Sequence, residues 1–492
     1  MTLTLKPHKA QPAAEPLRYA RVVSRIASMI DAGTFRPGDR LPSVRKMARQ
    51  MDLAVGTVLH AYRLLEARRL IEARPQSGYY VKPLQLLLSE PRPAARQRIP
   101  DVPTVAEMVV KMSELLAVPD VVPLGHAIPA PESLPTRQLN RISAAIARRS
   151  SQGLASYDVP PGCRELRTQI ARYHVDAGCS LAPDDLVTTC GCQEALGLCL
   201  RAVAGPGSVI AVNTPSYYGQ LQAIELLGMR AMEIKTDPHT GTDLAALEKA
   251  LKSGKIAACL FSTNCHNPLG FITPEENKRK LVTLLHQHKI PLIEDDIYGD
   301  LAFTGPRPTV CKAFDRAGLV LLCSSFSKTL APGARVGWCA PGKFLETVKR
   351  LKFCNTIATP TLPQLAIAEF LATGGYAHHL RKMRKRYAEE VQIITSAVAQ
   401  HFPPGTRASR PAGGHVLWVE LPKAVDTIKL FGRAAAQRIA IGPGPLFSAS
   451  GAYRNYLRLN CSCGSSSRIE ARIEQALVTV GRLAAEQISQ AR

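Results

Sequence analysis

Four short stretches hold the residue types that could carry chemistry. Lys328 sits in "SSFSKTLAPGARVGW", after the apolar run Leu319 to Cys323 and seven positions before Arg335. A lysine at the end of a buried strand is costly unless it has a partner or a reaction to perform. A desolvated amine is also a nucleophile that forms Schiff bases with carbonyl compounds. "IEDDIYGD" (293–300) closes a strand with carboxylates and then a tyrosine. Strand alternation sends Asp295 and Asp296 to opposite faces. "NPLG" (267–270) puts the Asn267 amide in a turn after another strand, and "TTCGCQEAL" (188–196) reads as strand, small-residue turn and helix. Backbone N–H groups at such a turn make a seat for an anion. All four stretches fall near the carboxyl ends of strands, where α/β folds bind ligands.

The elements that must position these residues are legible as an alternation. Short β-rich runs, LVTTC (186–190), VIAV (209–212), IAACLFST (256–263), PLIED (291–295) and LVLLCS (319–324), alternate with helical stretches such as Pro274 to His288. This pattern predicts an α/β domain with a mainly parallel sheet. GGHVLWVEL (413–421), IAIGPG (439–444) and YLRLNC (456–461) predict a smaller α+β subdomain.

The 492 residues exceed one ordinary domain. Apolar residues make up 46%, as expected of a soluble globular chain. No run of 18 apolar residues is present to span a membrane. The opening MTLTLKPHKA lacks the apolar stretch of a secretion signal. The 13 cysteines include no CxxC pair and no Cys/His cluster at zinc spacing. A reduced, cytoplasmic chain with no metal site is expected. The net charge is +23, of which residues 1–83 carry +9. A basic N-terminal module is the electrostatic footprint of a polyanion binder.

That module, residues 13–83, reads as three helices and a two-stranded wing. Val22, Val23, Ile26, Met29 and Ile30 form one stripe of the first helix, Leu17 to Ala32. Ser43 caps a second helix, Val44 to Gln50. In a third, Ala54 to Arg68, the spacing points Val55, Val58, Leu59, Tyr62 and Leu65 inward and Gly56, Thr57, His60 and Arg63 outward. "LIEARPQSGYYV" (70–81) predicts strand, turn, strand. A helix with short polar and basic residues on its outer face suits the major groove of double-stranded DNA. Residues 84–112, rich in proline and arginine, read as a linker, and 113–487 as the α/β domain.

"GTFRPGDRLPSVRKMA" followed by "TVLHAYRLL" resembles the DNA-binding domain of the GntR regulators. The resemblance implies that Ser43, Arg45 and Thr57 contact DNA; Arg63 joins them on the outer face. Ala54, Val55 and Gly56 replace the Ser-Arg pair that members often carry before Thr57.

The four chemical stretches together resemble the fold-type I pyridoxal-phosphate enzymes of the aspartate aminotransferase superfamily. By that resemblance pyridoxal 5'-phosphate is the cofactor and Lys328 holds its aldehyde. Asp295 pairs with the ring nitrogen, while Tyr298 and Asn267 meet the ring hydroxyl. Ser325, Ser327 and Arg335 hold the phosphate, with Gly191, Cys192 and Gln193 as the other wall. Tyr217, in "TPSYYG", stacks on the ring. Tyr157, in "YDVPPGCRELR", reaches the phosphate of a second subunit, which implies a homodimer. Arg458, in "YLRLN", clamps a substrate or effector carboxylate beside Asn267. A winged helix fused to such a domain is the layout of the MocR-type regulators. The expected function is a transcriptional regulator that senses an amino compound or the cofactor. A working aminotransferase with an appended DNA-binding module stays open as the alternative, because no named site residue is missing.

Overall fold

The computed structural model describes residues 18–491 apart from 33, 37, 69, 75–76, 83–87, 91–104, 150–154, 176, 463 and 465–466. The chain divides into two units, Met1–Leu87 and Leu88–Arg492.

In the first unit the helices are α1 (Arg18–Asp31), α2 (Val44–Met51) and α3 (Val55–Ala67). Ser43 caps α2, its side chain accepting from the Lys46 N–H at 3.3 Å, and Asp52 ends it in the left-handed region at φ 51°. Strands β1 (Ile71–Arg74) and β2 (Gly78–Val81) pair antiparallel as the wing. Val22 and Ile26 of α1 and Val58, Tyr62 and Leu65 of α3 are fully buried together. The Tyr62 hydroxyl donates to the Pro42 carbonyl at 2.7 Å, which ties α3 to the turn before α2. Val55, expected to face inward, is 50% exposed. It is the first residue of α3, and its side chain tilts toward the helix start, where no earlier turn exists to pack on.

The second unit is built on an eight-stranded sheet. Five strands, Val320–Ser325, Leu292–Asp295, Ile256–Phe261, Val209–Thr214 and Arg230–Asp237, run parallel in that spatial order. At one edge Gly337–Ala340 runs antiparallel to Val320–Ser325, and Val187–Thr189 pairs antiparallel with it and so runs with the five; Gly241–Thr242 closes the other edge antiparallel. The five runs expected to be strands are all in this sheet. Arg230–Asp237 and Gly337–Ala340 escaped notice because charged residues interrupt the first and glycine opens the second. Parallel strands are covered on both faces, which is why their residues are almost all buried. Helix Glu275–Gln287 fills the expected helical stretch.

The smaller subdomain is an antiparallel four-stranded sheet in the order Arg407–Ala408, Val416–Glu420, Tyr456–Asn460, Gly442–Pro443. It packs against the long helices Gly375–His401 and Ser467–Gln490. Of the expected linker, 84–87 and 91–104 lie outside the described residues. Its described parts are packed. Helix Val105–Glu114 buries Val109 and Met112 in the core of the second unit, and the Ser89 carbonyl accepts from the Ala408 N–H at 3.0 Å. Among the described residues no helix is long and apolar enough to cross a membrane.

Candidate functional site

Register puts the carboxylate and the lysine side by side. Cys323 pairs with Asp295 across the parallel strands, so the chain leaving the Val320–Ser325 strand turns directly over the end of Leu292–Asp295. Ser325 ends the Val320–Ser325 strand, and the turn carries Ser327 and Lys328. They line a cavity of about 240 Å³ with Asp295, Tyr298 and Asn267. Cys192, Gln193, Tyr217 and Arg335 form its other side.

Each group is held by neighbours the fold supplies. Asp295 is buried; its carboxylate accepts from the Gln220 amide at 2.8 Å and the Ile297 N–H at 3.3 Å. Burial raises its pKa, against the lowering effect of the Gln220 hydrogen bond. Asp296 points to the opposite side, paired with Arg307 and with Asn264 at 2.8 Å. The Lys328 ammonium donates to the Ala127 carbonyl at 2.6 Å. Burial, with the Arg458 guanidinium nearby, pushes its pKa down from 10.5 to about 8. The Tyr298 hydroxyl is buried without a hydrogen-bond partner, and burial raises its pKa.

The anion side is formed by the start of helix Cys192–Val203. Its N-cap, Gly191, sits at φ 82°, and a Cβ there would lie 2.5 Å from an Arg335 guanidinium nitrogen. Only glycine fits a position both left-handed and that close. Arg335 also donates to the Cys190 carbonyl at 3.2 Å. The Ser325 hydroxyl accepts from the Ser327 N–H at 3.3 Å.

Arg458 does not line the cavity. It is fully buried behind it, donating to Asn267 Oδ1 at 3.3 Å and to the Gly125 carbonyl, while its Nε has no partner. Its guanidinium carbon lies 5.0 Å from the Phe447 ring centroid and 5.7 Å from that of Tyr218. Tyr157 stands apart from the cavity and is 75% exposed. Two residues of the site were not foreseen from sequence. His126, in the wall, lies in a loop with no motif, and Gln220, which stands behind the wall and holds Asp295, is an ordinary amide on helix Tyr218–Leu226.

The outer face of the first unit carries Ser43, Arg45 and Arg63 exposed, with Thr57 half-buried. His60 is exposed but packs edge-on against Tyr19 at 4.9 Å. In the wing, the Arg74 guanidinium lies over the Tyr80 ring at 4.3 Å.

Comparison with known proteins matches residues 18–81 to the bacterial regulatory proteins of the gntR family and 120–475 to aminotransferase class I and II. The uncharacterized HTH-type transcriptional regulator YjiR of Escherichia coli is 37% identical over 93% of this chain and 97% of its own. YdcR, another such regulator of that bacterium, is 38% identical over 96% of this chain and 100% of its own. The chain belongs to the MocR-type regulators. Its second unit has the aminotransferase fold. LysN, the alpha-aminoadipate aminotransferase of Thermus thermophilus, solved with N-(5'-phosphopyridoxyl)-L-leucine, superposes with TM-score 0.70 at 28% identity over 79% of this chain and 96% of that one. In MocR-type terms, Met1–Leu87 and Leu88–Arg492 are the DNA-binding and aminotransferase-like halves of one regulator.

Proposed function

We propose that this protein binds operator DNA through its winged helix, holds pyridoxal 5'-phosphate in the cavity of the second unit, and regulates transcription in response to an amino compound or the cofactor. The observation that carries the cofactor reading is the cavity itself. A buried carboxylate, a half-buried lysine and an unpartnered tyrosine hydroxyl converge there, opposite a glycine cradle backed by arginine. A pyridine nitrogen, an aldehyde, a ring hydroxyl and a phosphate are the groups that such a set satisfies. Bound there, the cofactor supplies an aldehyde that condenses with amines and a ring that withdraws electrons.

The chain's own residues have distinct tasks. Asp295, kept dry and oriented by Gln220, holds a proton at the ring nitrogen. Tyr298 and Asn267 donate to the ring hydroxyl, and Tyr217 stacks. Ser325, Ser327, Arg335 and the Gly191–Gln193 turn hold the phosphate. Lys328, with its pKa lowered to about 8, offers a larger fraction of neutral amine near physiological pH than an ordinary lysine does. Arg458, buried behind the wall, orients Asn267 by donating to its Oδ1, which leaves the Asn267 amide N–H groups free to donate, and its charge favours a carboxylate on the ligand. Tyr157 completes the phosphate site of a second copy in a homodimer. Ser43, Arg45, Thr57 and Arg63 contact the duplex. The site of action is then the cytoplasm.

Regulation requires that ligand binding distinguish two conformations. The junction at Leu88–Glu90 supports a route for this. Ser89 bonds to Ala408 of the smaller sheet, and the Glu90 carboxylate lies 2.7 Å from His239 and 3.9 Å from Arg410. Movement of the smaller subdomain would shift the segment that leads back to the DNA-binding unit.

Turnover as an aminotransferase is the second reading, favoured by the completeness of the Lys328–Asp295–Arg458 set and by the solved aminotransferases. One pair of assays separates them: duplex-DNA shifts across a salt series, and steady-state transamination with an amino-acid panel and an oxo-acid acceptor. Salt-dependent DNA binding that an amine alters, without turnover, supports regulation. Turnover with DNA binding indifferent to every amine overturns it.

A further inference from the structure

Between the carbonyls that hold the two cations of the site stands a histidine with nothing to bond. The Gly125 carbonyl accepts from Arg458 and the Ala127 carbonyl accepts from Lys328 at 2.6 Å. His126 separates them, lines the cavity and is 5% exposed. Both of its ring nitrogens are buried without hydrogen-bond partners. A buried imidazole with neither nitrogen satisfied is unfavourable unless a ligand pairs with it.

The segment cannot drift to relieve this. Leu124 O accepts from Asn460 N at 2.7 Å, Ile128 O accepts from the Asn460 amide at 3.1 Å, and a Cβ on Gly125 would lie 2.6 Å from the Ile441 carbonyl carbon. The backbone that carries the imidazole is therefore fixed before any ligand arrives. Burial, then Arg458 and Lys328, push its pKa down to about 4. It is neutral at ordinary pH, with one N–H donor and one acceptor nitrogen.

We propose that His126 is a specificity-determining residue of the cavity, donating a hydrogen bond to the carboxylate of an α-amino-acid ligand. The inference rests on the cofactor reading above and adds a residue that reads the ligand. A ligand whose nitrogen reaches Lys328 lies against the His126–Ile128 wall of the cavity, because the neighbouring Ala127 carbonyl holds that lysine, so a carboxylate next to that nitrogen passes His126. The positive field of Arg458 and Lys328 at that wall favours an anion. An amine without a carboxylate leaves the imidazole unpaired.

The test uses full-length protein loaded with pyridoxal 5'-phosphate and three matched pairs: L-alanine and ethylamine, L-lysine and cadaverine, L-phenylalanine and phenethylamine. Binding is followed by the cofactor's visible absorbance and by calorimetry. Wild type should prefer at least one amino acid over its amine. In His126→Ala that preference should shrink by about tenfold or more, the scale of a lost hydrogen bond to a charged group. His126→Gln, which keeps an N–H donor, should retain most of it. A His126→Ala preference equal to wild type overturns the proposal. So does an equal loss for acids and amines in both variants, which would make the residue a mere wall. Absence of any preference in wild type overturns it as well. Failure of wild type to take up the cofactor at all appears before any ligand is added, and it overturns the parent reading and this one together.

Discussion

The two units place their functional groups in opposite environments. In the winged helix, Arg45 and Arg63 are exposed, as is Ser43, whose hydroxyl also caps α2. The two arginines gain little until a phosphate or base edge arrives. In the cavity, Asp295, Tyr298 and His126 are buried, and two of the three keep polar atoms without partners. There keeping the groups unsatisfied has already reduced the stability of the fold. The contrast teaches where sensitivity should lie. Cavity substitutions should act almost all-or-none on ligand capture, whereas DNA-face substitutions should act in graded, salt-dependent steps.

The largest effect expected is that of Lys328→Ala. It should abolish the visible absorbance that pyridoxal 5'-phosphate gives with the wild-type chain, while far-ultraviolet circular dichroism and DNA binding in the absence of ligand persist. Borohydride reduction that still links the cofactor to another lysine in this variant would break the assignment. Asp295→Ala should retain some absorbance but shift it and weaken cofactor affinity, since Gln220 would then face an empty site.

On the DNA face the expected steps are smaller. Arg45→Ala, Thr57→Ala and Arg63→Ala should each weaken operator binding, by about 1–3 kcal/mol where the lost contact is to a base edge. Loss of a phosphate contact instead reduces the slope of log affinity against log salt by about 1. Fluorescence anisotropy at several salt concentrations reads both. Binding that ignores salt and all three substitutions would remove the contrast between the units.

How much of this was legible in the sequence follows from the same contrast. The cavity residues stand out because a lysine, a carboxylate and an amide at strand ends are unusual types for buried places. Motif spacing then carried Lys328, Asp295, Tyr298 and Asn267 into one cavity. The hydrophobic stripes of α1 and α3 were equally plain. Val55 was misjudged because helical spacing does not register where a helix begins. Arg230–Asp237 was missed because a buried strand that tolerates Glu233, held by Ser448 and Ser450, breaks the apolar pattern. His126 was invisible for a different reason. Its neighbours Arg458 and Lys328 lie hundreds of positions downstream, so only the folded chain shows an imidazole between them.

The titration of Lys328 sharpens the comparison further. Its folded pKa, about 8, is below the ordinary 10.5. The folded chain therefore releases this proton earlier than the unfolded chain does. The protonated lysine weakens folding below pH about 8, and stability should recover as pH rises from there toward 10.5. The neutral amine fraction follows the same midpoint. Stopped-flow measurement of cofactor capture should show a rate rising through pH about 8 in the wild type. A rate still climbing at pH 10 would mean that the amine is solvated and the cavity far wetter than the fold indicates.

The smallest effect expected lies between the two sets of groups, at Glu90. Its pairing with His239 joins side chains 23% and 68% exposed, and Arg410 is a more distant second partner. Surface pairs of this kind contribute about 0.2–1 kcal/mol. Glu90→Ala should therefore leave the fold, cofactor uptake and ligand-free DNA affinity close to wild type. Its consequence should fall on coupling. Allosteric coupling typically amounts to about 1–3 kcal/mol. If the Leu88–Glu90 segment carries the coupling as proposed, loosening its anchor should reduce the ligand's effect on operator affinity by roughly two- to fivefold, matching the modest energy of the pair. The measurement is operator titration with and without a saturating amino acid, in wild type and Glu90→Ala, at low and moderate salt. Reciprocity demands that operator DNA change amino-acid affinity by the same factor, and that both factors shrink together in the variant. A variant that keeps the full wild-type factor would show that the ligand signal leaves the second unit by a route other than Leu88–Glu90.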